Sequence, residues 1–310
     1  MISIVRHFRM MVHVVAMTAA IIAPHVGRSQ ARSASVDQLR DAIVQRIAAS
    51  SGAVVGVAYV DLETGDRLSL AADSAFHAAS TMKIPVMIEV LRRSQQGAFS
   101  LDQAVLMVNQ FRSLADGSPF SLDAADDGDS TLYQRVGQRV PIRELLRLMI
   151  TRSSNFATNE LIELVGAANV TAAARSLGAT RTHVLRGVED QKAFDAGMIN
   201  TTTAGDLATL LVAIENGQVL SSSSSALMRD ILLAQEFNEK IPAGLPPGTR
   251  VAHKTGEITA VSHDAAIVYP TGRKPYVLTV LTRGIREGKE SAGLIADISR
   301  LVYAFATRGK

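Results

Sequence analysis

The stretch FHAASTMKIPVMIEVLRRS, residues 76–94, decides how the rest of the chain is read. It places Ser80 and Lys83 three positions apart at the head of an otherwise apolar helical run. A serine there can simply cap a helix, with the lysine on the surface. It can equally be a nucleophile whose proton the lysine manages, because residues three apart on a helix share a face. The stretch alone does not choose between these; motifs elsewhere do.

Composition narrows the field first. The chain has 310 residues, 47% of them hydrophobic, enough to bury the core of one large domain or two lobes. Residues 1–31 read as an export signal: Arg6 and Arg9 give a basic start, an apolar run covers residues 10–23, and small residues follow towards a cleavage point near Ala31. Arg6, Arg9 and Arg28 account for the net charge of +3. The remainder, 32–310, is close to neutral, which gives no electrostatic reason to expect a nucleic acid or an anionic membrane as partner. With no cysteine, disulfides, thiolate chemistry and cysteine metal sites are excluded. The histidines show no zinc-ligand spacing, so no metal or other cofactor is expected, and His77, His253 and His263 read as structural.

The order of elements suggests an α+β fold, an α/β sandwich. Val36, Leu39, Ile43 and Ile47 recur at helical spacing, with Ser35 and Gln38 fitting a capping box. Strands follow in AVVGVAYVDLETGDRLSL, joined by a turn at Glu63–Asp66. RVAHKTG, DAAIVYP and PYVLTVLTR read as further strands before a last helix with Leu294, Ile295, Ile298, Leu301, Val302 and Phe305 on one stripe. Between them, from about 80 to 235, the helical period dominates, as in PIRELLRLMITRS with its apolar face of Ile142, Leu145, Leu146 and Met149. The predicted single domain thus has an antiparallel sheet lobe (about 32–79 and 236–310) and a helical lobe, with a site in the cleft between them. Residues 113–131, with five aspartates, read as a solvated loop without calcium-ligand spacing. The run Ser221–Ser225 reads as a linker ending in a helix cap.

Three short motifs then occur in order: Ser80-Thr81-Met82-Lys83, Ser153-Ser154-Asn155 and Lys254-Thr255-Gly256. Each alone is common by chance; the ordered set is much more specific. A serine hydroxyl needs a neighbouring base to become a nucleophile. A lysine serves as that base only when partly neutral, and burial beside a second ammonium such as Lys254 lowers its pKa. The N-terminus of a helix adds N–H groups that favour an oxyanion. Ser153, at the end of a helix, can pass a proton to a leaving nitrogen. Asn155 can donate to a substrate amide oxygen, Asn159 can steady the loop behind, and Lys254 and Thr255 on an edge strand can hold a substrate carboxylate. Gly256 removes a side chain where substrate lies along that strand.

From about residue 36 onwards the chain resembles the class A β-lactamases and the wider penicillin-recognising serine hydrolases, which share this motif set. The resemblance implies a small-molecule β-lactam substrate, an acyl-enzyme on Ser80, an oxyanion hole from the backbone N–H groups of Ser80 and Glu257, antibiotic resistance, and a periplasmic or secreted monomer. It also implies a loop glutamate that activates the deacylating water. Glu189 is the candidate, with Asp190 as rival and Arg186 as loop anchor. The sequence departs from the family pattern in several places. One extra residue separates Arg186 from Glu189, and the loop before Thr201 is short. Ala193 stands where the family has an asparagine, and Asn200 and Ser154 stand where it has aspartates. Asp264 matches the family's buried aspartate, and Arg283 is a candidate for the arginine that assists the substrate carboxylate. Two other readings stay open: a D-alanyl-D-alanine carboxypeptidase or esterase of the same fold, and a covalent β-lactam sensor that deacylates poorly.

Overall fold

Five strands build the central sheet: β1 (Val54–Asp61), β2 (Arg67–Leu70), β3 (Arg250–Ile258), β4 (Val261–Tyr269) and β5 (Tyr276–Arg283). In the computed structural model, which describes residues 25–308, they lie in the order β2–β1–β5–β4–β3, every neighbouring pair antiparallel. The strand that carries Lys254-Thr255-Gly256 is therefore an edge. The apolar run at 10–23 lies outside the described residues.

The helices are α1 (His25–Ala48), α2 (Lys83–Gln95), α3 (Ile142–Thr151), α4 (Asn155–Val165), α5 (Ala167–Ser176), α6 (Gln191–Asp195), α7 (Ala204–Glu215), α8 (Ser222–Leu233) and α9 (Gly288–Thr307). The two-residue period of the strands divides the core in two. Val57, Tyr59, Leu278 and Val280 pack with Leu39 and Ile43 of α1 and Leu294, Ile298 and Val302 of α9. Ala58, Val60, Val277 and Leu281 face the opposite way, into a core shared with α2, α3, α4 and α7. A sheet buried on both faces is what the Val/Leu-rich β1 and β5 require. α2 is buried on every side from Lys83 to Leu91, as a helix apolar nearly all round must be.

Three local expectations are corrected. α1 runs through Ser35, so the residue caps nothing and no capping box starts the helix there. Ser222–Ser225 are the first turn of α8, not a linker, and the Ser221 hydroxyl accepts from the Ser224 amide as N-cap. The aspartate-rich segment is only partly solvated. Residues 111–112 pair with 119–120, and Asp129 is buried.

Candidate active site

Ser80 sits in a tight 3₁₀ turn, Ala79–Met82, that runs directly into α2. Because α2 is locked inside the core, the turn has little freedom to shift. Ala78 donates to Asn200 O at 2.8 Å, and the Ala79 amide donates to His77 Nδ1 at 3.0 Å. Ala79 is held at φ 45°, a left-handed conformation that costs a non-glycine residue roughly 1 kcal/mol or more and persists only where its surroundings enforce it. Gly256 is part of that enforcement. A Cβ there would come within 3.1 Å of the amide nitrogens of Ser80 and Thr81 and 3.2 Å of Ala79 Cβ. The glycine thus lets the edge strand press against the nucleophile's turn, rather than only clearing a path for substrate.

The second motif turns at Ser153, which has φ 57° just beyond the end of α3. Its hydroxyl accepts from Lys83 Nζ at 3.1 Å and from Lys254 Nζ at 3.0 Å. Both lysines are fully buried. Desolvation brings Lys83 down to about 7, opposed by the charges of Asp127 and Glu189. Desolvation also lowers Lys254 well below the usual lysine range, helped by Lys83 and Lys240. Lys83 donates to Ser153 O at 2.7 Å and Asn155 Oδ1 at 2.8 Å, and among the described residues no hydrogen bond joins it to Ser80. Lys254 donates to Ser153 Oγ and to Thr255 O at 2.8 Å, which leaves the third N–H of its ammonium for a substrate carboxylate.

Asn155 opens α4. While its Oδ1 accepts from Lys83, its Nδ2 donates to Glu189 Oε1. The amide thereby spans the lysine and the loop acid, and its second N–H is left for the substrate contact expected of it. Glu189 has φ 61°. Partial desolvation raises its pKa, as do Asp127 and Asp126, while Asn155 and Lys83 act in the opposite sense. The loop is clamped from behind by Asn159, which accepts from Val188 N at 2.7 Å and donates to Val188 O at 3.1 Å. Gly187 makes the clamp feasible: a Cβ there would lie 2.3 Å from Asn159 Oδ1. Arg186 anchors through carbonyls, Met198 O at 2.9 Å and Gly187 O at 3.0 Å. Asn200 binds the backbone of that arginine, accepting from its N–H and donating to its C=O. Asp190 borders the cavity that Glu189 lines, but both its oxygens are engaged by hydrogen-bond donors. Burial alone would raise its pKa, but hydrogen bonds from Leu114 N, Ser113 Oγ and Ala193 N hold it low. The last of these makes it the N-cap of α6.

Ser80, Asn155, Glu189 and Glu257 line one cavity of about 800 Å³. Asn155 and Glu257 also border an adjoining cavity of about 240 Å³ lined by Ser153, Thr255, Gly256 and Lys240. Lys240 was missed at the sequence level, since no motif surrounds it and its signal there is only a lysine before Ile-Pro. It is buried beside the edge strand, 3.2 Å from Glu257 Oε2 and 3.4 Å from Gly256 O. Arg283, by contrast, lies over the Phe76 ring and lines neither cavity. Asp264 is fully buried, bonded to His253 Nδ1 at 3.0 Å and to Ile241 N at 3.0 Å. His263 bridges the carbonyls of Ser262 and His77.

Residues 38–306 match the sequence profile of the beta-lactamase enzyme family. The chain belongs to that family. Its relatives include Beta-lactamase AST-1 of Nocardia asteroides, 30% identical with 87% of this chain and 84% of that protein covered. The carbapenem-hydrolyzing beta-lactamase KPC of Klebsiella oxytoca is 31% identical over 81% of this chain and 83% of its own. Among solved structures, a leucine-to-glutamate mutant of PBP-A in acyl-enzyme complex with penicillin G superposes with a TM-score of 0.75 at 30% identity, covering 86% of this chain and 95% of that one. The family's proteins are hydrolases of the α+β fold described above.

Proposed function

We propose that this protein is a serine β-lactamase of the class A type, working through an acyl-enzyme on Ser80. One observation carries the reading: in the wall of the cavity that holds Ser80, Asn155 ties buried Lys83 to Glu189. The groups needed to form and to hydrolyse an ester are thereby in one network. Lys83, with a pKa near 7, is neutral in about half the molecules at neutral pH and takes the Ser80 proton as Oγ attacks the lactam carbonyl. Ser153 Oγ receives N–H groups from both lysines, so its own hydrogen is free to reach the lactam nitrogen as the C–N bond breaks. The proton Lys83 took then returns to Ser153. Glu189 next removes a proton from water, which attacks the ester carbonyl, and Ser80 leaves with that proton. Lys254 and Thr255 supply the N–H and hydroxyl donors for the substrate carboxylate, while Lys240 is held behind the same strand by Gly256 O, Glu257 Oε2 and His263 O.

The test is steady-state hydrolysis of a chromogenic cephalosporin by wild type, with Ser80→Ala expected to lower kcat by about 10⁴-fold or more. No turnover by wild type at high enzyme concentration overturns the reading. The likeness to PBP-A favours a second reading, a D-alanyl-D-alanine carboxypeptidase with the same Ser80 chemistry. Release of D-alanine from a stem peptide without β-lactam turnover would select it. An adduct lasting hours would instead indicate a sensor. The apolar run at 10–23 supports export to the periplasm or medium without stable membrane association, which fractionation of expressing cells would check, and sedimentation would test for a monomer.

A further inference from the structure

The aspartate-rich loop meets the Ser153–Asn155 turn through three consecutive residues. Asp127 accepts from the backbone N–H groups of Asn155 and Phe156, at 2.9 Å each, and from the Tyr133 hydroxyl at 2.8 Å. Gly128 passes so close to the turn that a Cβ on it would lie 2.1 Å from Arg152 O. Asp129, buried, accepts from Arg152 Nη1 at 3.3 Å and from Thr131 Oγ1 at 2.8 Å. The Tyr133 ring then packs on Phe156, with centroids 5.0 Å apart. None of these contacts is local in sequence to the motif, and Ser154, its middle residue, bonds only weakly to the same carboxylate, at 3.5 Å.

A helix start leaves N–H groups unpaired, and a carboxylate is their best acceptor. Ser154 satisfies one of them, Ala157 N at 3.2 Å. The first two, Asn155 and Phe156, are satisfied from outside. We propose that Asp127 is a positioning residue for catalysis: its carboxylate, delivered across space by the loop, fixes the start of α4 so that the Asn155 side chain holds Lys83 and Glu189 together. The motif's missing acid is thus replaced by one 27 positions upstream of Ser154. The inference rests on the hydrolase reading for its catalytic consequence, but not for its structural one.

The experiment combines two readouts on the full protein: the rate at which a fluorescent penicillin labels Ser80, and amide hydrogen exchange at Asn155 and Phe156. Asp127→Ala is expected to slow labelling about 10- to 100-fold, the usual effect of a small misplacement of reacting groups, and to lose protection at both amides. Adding Ser154→Asp should restore both, because the carboxylate returns from the motif side. Asp123→Ala, in the same loop but exposed, should match wild type. Wild-type labelling and protection in Asp127→Ala, or no restoration by Ser154→Asp in a folded protein, overturns the proposal. If Asp127→Ala does not fold, Asp127→Asn carries the same readouts. Intermediate values support the proposal and wild-type values defeat it. Should wild type neither label nor hydrolyse the penicillin, the hydrolase reading falls, while the exchange data still decide whether Asp127 holds the turn.

Discussion

The two halves of the cleft are built by different means. Ser80, Lys83, Ser153 and Lys254 are supplied by a buried helix, a helix end and an edge strand, and both lysines are wholly enclosed. Glu189 stands on an exposed loop, placed by side chains that reach its backbone: Asn159 on Val188, Asn200 on Arg186 and Asp190 on α6. In the first half, position follows from regular structure and core packing. In the second it follows from individual hydrogen bonds, each worth about 1 kcal/mol net. The lesson is that acylation and deacylation rest on scaffolds of unequal rigidity, and they should respond to mutation separately.

The largest separation is expected from Glu189→Gln. It should slow deacylation by about 10²–10⁴-fold, the usual worth of a general base, and leave acylation nearly intact. Intact-protein mass spectrometry would then find a long-lived penicillin adduct. Equal loss in both steps would erase the distinction between the halves. A smaller effect is expected from pH. Lys83 accepts a proton only when neutral, and its pKa is lowered to about 7. The acylation rate should therefore fall about tenfold per unit below pH 7 and level off above it. Single-turnover acylation between pH 5 and 9 measures this, and a break well down in the carboxylate range would assign the proton to another group.

The smallest effect concerns Asp190. Its hydrogen bonds hold its pKa low, so its contribution to stability is present at neutral pH and lost as pH falls through the lowered value. Asp190→Asn should lower Tm by about 2–4 °C, the equivalent of about 1–2 kcal/mol, while slowing deacylation far less than Glu189→Gln. A thermal melt beside the adduct assay checks both. A persistent adduct in Asp190→Asn but not in Glu189→Gln would exchange the two roles.

The same contrast governs what the sequence reveals. The strands and α2, α3 and α9 are legible because burial imposes periods that the residues carry openly. The three motifs are legible because each is a short word whose parts serve one local geometry. Asp127 and Lys240 carry no such mark. Asp127 lies in a segment whose composition reads as solvated, and it becomes structural only because the fold sets the start of α4 beside it. Lys240 gains meaning only where β3 passes it. The contact between Gly256 and the Ser80 turn was likewise hidden, although the glycine itself stood in a recognisable motif.

Phe76 and His77 pair with Thr202 and Thr201, and Ala78 bonds Asn200 directly. The chain just before the nucleophile and the chain just after the loop of the base therefore hang from a single bracket. Lengthening the loop tugs on the serine as well as on the glutamate. Variants that widen the entrance by slackening this segment should carry a toll on ester formation too, so the range of ligands accepted and the speed of attack are mechanically joined.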